Sequence, residues 1–273
     1  MSNTRLVFGG PLISSTKNRT IKEIRSLHSR KGREQTGCFW LEGIRLVGEA
    51  AQMRAQIELV VVAPDLLISQ FGRELVDELQ GRGVPCLAVT AAVFRSLSSK
   101  EGPQGLGAVV RQAWGQLPAP GTKEDTWVAL EAVQDPGNLG SIMRTADAVG
   151  CAGLILVGNC TDPYDTAAVR GSMGSIFALR LVKASISEFL AWKTDCNFFW
   201  VGTSGAAPQH YRQISYPKPL LLLSGSEQKG LSVSLQKACD QLVSIPMVGR
   251  ADSLNLAVAT SVVLYEIFEQ GNP

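Results

Sequence analysis

The chain has 273 residues, 45% of them hydrophobic and 18% charged, with a formal charge of +2. That apolar content excludes a chain dominated by disorder, and the length allows one large domain or two ordinary ones. No stretch approaches the roughly 20 consecutive apolar residues of a membrane span, and the N-terminal segment lacks the apolar core and cleavage site of a secretory signal. Six cysteines (Cys38, Cys86, Cys151, Cys160, Cys196, Cys239) are scattered without a C-x-x-C pair, beside only two histidines. The pattern suits neither a zinc site nor a disulfide framework, so the reading is a reduced, cytoplasmic protein with no metal and no membrane partner.

Charge is unevenly spread. Residues 1–116 hold 15 Lys and Arg against 10 Asp and Glu, whereas residues 117–273 hold 11 against 14. Much of the excess is one segment, Lys17, Arg19, Lys22, Arg25, Arg30, Lys31 and Arg33, opposed within 17–33 only by Glu23. Such a cluster is the footprint of a polyanion-binding surface, and Lys17, Arg19, Lys22, Arg30, Lys31 and Arg33 are the candidate contacts. A solvated helix face followed by a charged loop accounts for the charges equally well.

In chain order, Ile21, Ile24 and Leu27 recur at helical spacing after a cap at Asn18 or Thr20. A strand is expected at 38–41, a helix at 44–53 and a buried strand at 59–62. An amphipathic helix at 66–79, ended by Gly81, precedes a strand at 85–89, a short helix at 91–97 and a strand at 106–110. This is a compact α/β module, and the Pro/Gly-rich stretch QLPAPG (116–121) behind it reads as a linker. The second part has strands at 127–130, 154–157, 198–201, 220–223 and 242–245, with a helix at 139–149 and others between. Their continuous apolar runs indicate a mostly parallel sheet buried on both faces. The last helix, 254–268, is apolar on nearly every face and must be covered, by a partner subunit or by its own core.

No Ser/His/Asp, Cys/His or paired-carboxylate arrangement stands out, and GPQGLG (102–107) precedes a strand, the wrong context for a phosphate loop. Three polar islands stand out instead: DPGNLGSIMR (135–144), LSGSEQKG (223–230) and IPMVGRADSLN (245–255). Each lies at the carboxyl end of a strand, where α/β sheets bind ligands.

These islands resemble the three signature motifs of the SpoU/TrmH family of RNA ribose 2′-O-methyltransferases in the SPOUT superfamily. NLGSIMR (138–144) followed by TADAVG (145–150) resembles the first motif, LLLSGSEQKGL (221–231) the second, and IPM (245–247) with SLN (253–255) the third. VRGSMG (169–174) is similar to the family's central Ser-x-Gly segment. In the first half, NRTIKEI (18–24), FWLEG (39–43) and PQGLGAV (103–109) resemble the substrate-binding domain fused to many members. One departure is Gln228, where many members have glycine.

The resemblance implies an α/β protein in which a C-terminal domain, 126–273, carries a deep trefoil knot of SPOUT type. A smaller α/β RNA-binding domain of ribosomal-protein type, 1–115, precedes it, with 116–125 as the linker. It implies S-adenosyl-L-methionine as methyl donor, held by Gly225, Ile245 and Leu254 with Leu223, Met247 and Ser253 as neighbours. Asn138 and Arg144 take the matched catalytic positions, supported by Glu227 and Asn255. A guanidinium stays protonated, so Arg144 is read as a clamp on phosphate or developing alkoxide rather than a base; a helix salt bridge to Asp147 is the plain alternative. The resemblance further implies a homodimer packed through the knotted domain and an RNA substrate, rRNA before tRNA. The rival from another class is a catalytically inactive RNA-binding or ribosome-assembly factor. A nicotinamide-dependent oxidoreductase is disfavoured because no G-x-G-x-x-G follows the first strand.

Overall fold

The computed structural model describes residues 10–119 and 125–271. Of the linker expected at 116–125, residues 120–124 lie outside the described residues. The chain divides into two compact units: one runs to residue 112 and also takes in 164–169, and the other comprises 113–163 and the chain from 170 onward.

The first unit opens with α1 (Arg19–Ser26), whose cap is Asn18: its side chain accepts from the Thr20 amide at 2.9 Å. Helix α2 (Arg30–Thr36) follows, capped by Ser29 and ended by Gly37 at φ 66°. Sequence periodicity shows no α2, because its seven residues contain no apolar stripe. Then come β1 (Cys38–Glu42), α3 (Ile44–Gln52), β2 (Ile57–Val62), α4 (Gln70–Gly81), β3 (Cys86–Ala88), α5 (Ala91–Arg95) and β4 (Leu106–Arg111). Helix α4 begins at Gln70 rather than near 66, since Ser69 caps it through the Gly72 amide and Leu67 closes a preceding turn onto Ala63. The four strands form a sheet in the order β1-β4-β2-β3, with β2 and β3 parallel and the other pairs antiparallel. Ile21, Ile24, Trp40, Val61 and Phe94 pack into its core.

The second unit is built on one eight-stranded sheet. Its elements are β5 (Trp114–Gly115), β6 (Thr126–Glu131), α6 (Pro136–Ala148), β7 (Gly153–Val157), the last turn of α7 (Thr166–Ser172), whose first four residues belong to the first unit, β8 (Arg180–Ala184), α8 (Ile186–Asp195), β9 (Phe199–Thr203), β10 (Gln209–His210), β11 (Leu220–Ser224), α9 (Val233–Ala238), β12 (Gln241–Ser244) and α10 (Leu256–Gly271). The strand order is β10-β12-β9-β11-β6-β7-β8-β5, and all the pairings are parallel. Every residue of β6, β7 and β11 is buried, as their unbroken apolar runs require. The sequence pattern does not reveal strand β8, because Arg180 and Lys183 interrupt its apolar run and remain exposed. Stacked rings of Phe189, Trp192 and Trp200 fill one face of the core together with Trp127, Leu221 and Leu223.

The segment 164–169 packs with the first unit. Tyr164 stands 4.8 Å from Phe39 between ring centroids, and Asp165 receives the Arg33 guanidinium at 3.5 Å.

At Gly153 a β-carbon would lie 2.2 Å from the Arg180 carbonyl oxygen and 2.7 Å from the Trp127 ring. Gly153→Ala is therefore expected to cost about 1–3 kcal/mol, the scale of overpacking a filled core. Urea denaturation should show a lower midpoint with an unchanged slope.

Candidate active site

Strands β6 and β11 pair in parallel from Leu220 opposite Thr126 to Ser224 opposite Leu130, so their carboxyl ends open side by side. In an open α/β sheet that crevice is where ligands bind. The loop after β6 enters α6 through Asp135, whose carboxylate accepts from the Asn138 amide at 2.6 Å, with Pro136 pre-set for the first turn. The loop after β11 is a tight hairpin closed by two backbone bonds between Ser226 and Gly230. A β-carbon on Gly225 would lie 2.0 Å from the Gly230 carbonyl carbon, so the returning strand holds that position to glycine. The segment after β12 ends on Asn255, whose side-chain oxygen accepts from Ala257 N at 2.9 Å and Val258 N at 3.3 Å and so caps α10.

The three loops are joined by side chains. Asn138 Nδ2 donates to Glu227 Oε1 at 2.9 Å, and Asn255 Nδ2 donates to Asn138 Oδ1 at 2.9 Å. Below them, Thr260 Oγ1 on α10 donates to the buried Ser224 Oγ at 3.0 Å. The Glu131 carboxylate at the end of β6 accepts from Ser232 N at 2.7 Å and fixes the start of α9.

A cavity of about 340 Å³ opens between the second and third loops, and Gly225, Ile245, Met247, Ser253 and Leu254 all line it. Thr203, Gln236 and Asp252 also line it, residues that motif matching passed over because they lie outside the short signatures. A second cavity, about 640 Å³, lies beside the first and loops one to three: Asp135, Asn138, Glu227, Gln228 and Asn255 border it. Ser226, Glu227 and Lys229 border both.

Three expected site residues lie elsewhere. Leu223 does not line the cavity; it is fully buried and shares with Leu221 the strand face that packs into the core. Arg144 is exposed and lines neither cavity. Six helical residues separate it from Asn138, which rotates it by about 120° around α6. It makes no ion pair to Asp147 among the described residues. Arg33 is not a surface cation: it is 2% exposed, with its guanidinium on the Leu27 and His28 carbonyls and Asp165. It closes the turn from α1 into α2. Lys17, Arg19, Lys22, Arg30 and Lys31 are exposed, with Arg19 and Arg30 paired to Glu23 and Glu34 one helical turn on.

Burial pushes the Cys151 and Cys239 thiols up to about 12 and Cys86 up to about 11. These remain thiols near neutral pH and offer no thiolate nucleophile.

Residues 125–265 match the model of the SpoU rRNA methylase family, just over half the chain, and residues 18–108 match an MRM3-like substrate binding domain. The chain belongs to the SpoU/TrmH family. Among curated SpoU relatives, a 23S rRNA (uridine(2479)-2′-O)-methyltransferase of Streptomyces viridochromogenes is 33% identical, over 89% of this chain and 87% of that protein. The 23S rRNA (guanosine(2553)-2′-O)-methyltransferase RlmP of Bacillus subtilis is 29% identical, over 93% and 98%. An AdoMet-bound rRNA methyltransferase from Sinorhizobium meliloti superposes with a TM-score of 0.86 at 37% identity, covering 95% of this chain and 97% of that one.

The cavity suits the cofactor of that SpoU neighbour. S-adenosylmethionine carries no phosphate, so it needs no helix N-terminus. It needs an apolar slot for adenine, which Ile245, Met247, Leu254 and Leu256 supply, and polar groups for a zwitterionic tail, which Asp252 and Ser253 supply.

Asn255 has two separable duties. Asn255→Ala, which loses the cap, should destabilise the protein by about 1 kcal/mol. Asn255→Asp keeps the acceptor for the helix and loses only the donor to Asn138. Its urea midpoint should stay close to wild type while the alanine variant falls.

Proposed function

We propose that this chain transfers a methyl group from S-adenosyl-L-methionine to the ribose 2′-hydroxyl of a nucleotide in ribosomal RNA. The observation that carries the reading is the Glu227–Asn138–Asn255 chain of hydrogen bonds standing where two cavities meet. One cavity has the chemistry for the methyl donor, and the other is open and polar enough for a nucleotide. The 23S rRNA substrates of the two relatives support rRNA as the target class.

When bound, the cofactor supplies a methyl group on a sulfonium, whose departure leaves a neutral thioether. This chain's residues must then orient and activate a weakly acidic hydroxyl. Gly225, Ile245, Met247, Ser253 and Leu254 hold the donor's side of the boundary. Glu227 is fixed through one carboxylate oxygen by Asn138, so its remaining acceptor capacity can take the 2′-hydroxyl hydrogen. Asn255 fixes Asn138 in turn and acts as a positioning residue.

Arg144 is the remaining expected group, and it faces away from Asn138. We assign it to the developing alkoxide at the neighbouring site of a homodimer. An exposed apolar stripe on α10, Val258, Tyr265 and Phe268, supports such a dimer. The stripe adjoins α6 where Thr145 and Ser261 bond at 2.9 Å. The neighbouring-subunit assignment reconciles an exposed arginine with a catalytic position. The family fold supports a trefoil knot in the second unit, and the exposed Lys17, Arg19, Lys22, Arg30 and Lys31 support RNA capture by the first; the site of action is the cytoplasm.

Three measurements test this. The full chain should bind S-adenosylmethionine by calorimetry with a dissociation constant in the micromolar range, roughly −8 kcal/mol. Arg144→Ala should lower the single-turnover methylation rate about 100-fold, the scale of one lost transition-state donor, with donor affinity unchanged. Near wild-type turnover in that variant would make Arg144 structural. Neutralising Lys22, Arg30 and Lys31 together should weaken RNA binding and flatten its dependence on log salt by roughly 0.7–0.9 per lost phosphate contact. An unchanged slope would leave the segment as solvated surface.

A further inference from the structure

We propose that Lys229 is a substrate-contact residue that holds the RNA phosphodiester beside the methylated ribose and so sets which way the ribose lies across the site. The inference rests on the methyl-transfer reading above. It starts from the geometry of the hairpin after β11.

The hairpin fixes where the Lys229 side chain starts. Ser226 N donates to the Gly230 carbonyl at 3.2 Å, and Gly230 N returns to the Ser226 carbonyl at 2.8 Å. Lys229 N donates to Ser226 Oγ at 3.3 Å, and Gly230 adopts φ +64°, a conformation that suits glycine. Because Gly225 is pressed against the returning Gly230–Leu231 backbone, the turn cannot tilt freely on the end of β11. Glu227 and Lys229 are therefore presented from a rigid turn.

Three side chains border both cavities: a hydroxyl from Ser226, a carboxylate from Glu227 and an ammonium from Lys229. The Glu227 carboxylate is engaged by Asn138. Lys229 is exposed, and no ion pair joins it to Glu227 or to Asp252, the other acid of the first cavity, among the described residues. A charged group of each sign thus stands at the place where a methyl group would pass from one cavity to the other.

Ribose chemistry gives that pair a direction. A 2′-hydroxyl in RNA has the 3′-phosphodiester as its anionic neighbour, so an oxygen brought to the boundary brings a negative charge with it. Glu227 repels that charge and accepts the hydroxyl hydrogen, while Lys229 attracts it. An ammonium is a compact point charge that binds phosphate without demanding one geometry. The phosphate therefore lies toward Lys229 and the hydroxyl toward Glu227 and Asn138.

The test compares full-length wild type, Lys229→Met and Lys229→Arg on in-vitro-transcribed 23S rRNA, with labelled S-adenosylmethionine as methyl source. Lys229→Met should raise the KM for RNA about tenfold, with kcat within about threefold. It should also flatten the slope of log kcat/KM against log salt by roughly 0.7, the share of one phosphate contact. Lys229→Arg should restore most of the KM. Calorimetry should give all three proteins the same affinity for S-adenosylmethionine. A Lys229→Met variant with wild-type KM and salt slope overturns the proposal, as does one whose main loss is donor affinity, which would put the ammonium on the cofactor's carboxylate. Wild type that fails to methylate the RNA overturns the underlying activity and the proposal together. Wild-type activity with an insensitive variant overturns only the role of Lys229.

Discussion

Asn138 bonds Glu227 through its amide nitrogen and Asn255 through its amide oxygen, so one side chain joins segments 89 and 117 residues away along the chain. The order of donors in this chain leaves no freedom. Glu227 only accepts, so Asn138 must turn its nitrogen toward it and its oxygen toward Asn255. Asn255 must then turn its nitrogen toward Asn138 and its oxygen toward the amides of Ala257 and Val258. The result is a directed relay from the N-terminus of α10 to a carboxylate, with the positive end of the helix behind it. Neither aspartate nor leucine at 138 can both donate and accept, so either would break this wiring.

The same segments are tied a second time below the surface. Ser224, at the last position of β11, and Thr260, one turn into α10, are both buried and bond each other. Thr203 at the end of β9 reaches the Ser224 hydroxyl at 3.4 Å. The Ser224 and Thr260 hydroxyls have no solvent to turn to, and pairing them removes the cost of burying each alone. The floor of the first cavity is thus fastened to three separate strands and helices, and side chains above it are positioned against a rigid base.

Much of this was legible in the chain itself, for definable reasons. The apolar runs of β6, β7 and β11 announce buried parallel strands, and the order of polar islands after them locates the site at one end of the sheet. What escaped has physical causes. Helix α2 is held by caps at Ser29 and Gly37 rather than by an apolar stripe, so periodicity does not reveal it. Arg33 looks like its neighbours in a basic run, yet three oxygens surround it, and a count of charges cannot tell a buried cation from an exposed one. Leu223 and Gly225 stand two residues apart in one motif, but Leu223 lies inside β11 and packs in the core, while Gly225, just past the end of the strand, edges the cavity. Arg144 and Asn138 share a motif and a helix without sharing a face.

Residues 164–169 give the molecule a property that neither half has alone. The chain leaves the catalytic half after 163, packs Tyr164 and Asp165 with Phe39 and Arg33, and returns at 170. Residue 112 is therefore not the sole boundary between the halves, and a cut there does not separate two independent modules. An exchange of N-terminal halves between relatives would have to carry this six-residue excursion along with its N-terminal partners. Grafting the first 112 residues alone would leave a foreign Asp165 facing whatever stands at position 33. The two halves are in this sense braided in one chain, and an exchange of either has to be made on both sides of the braid.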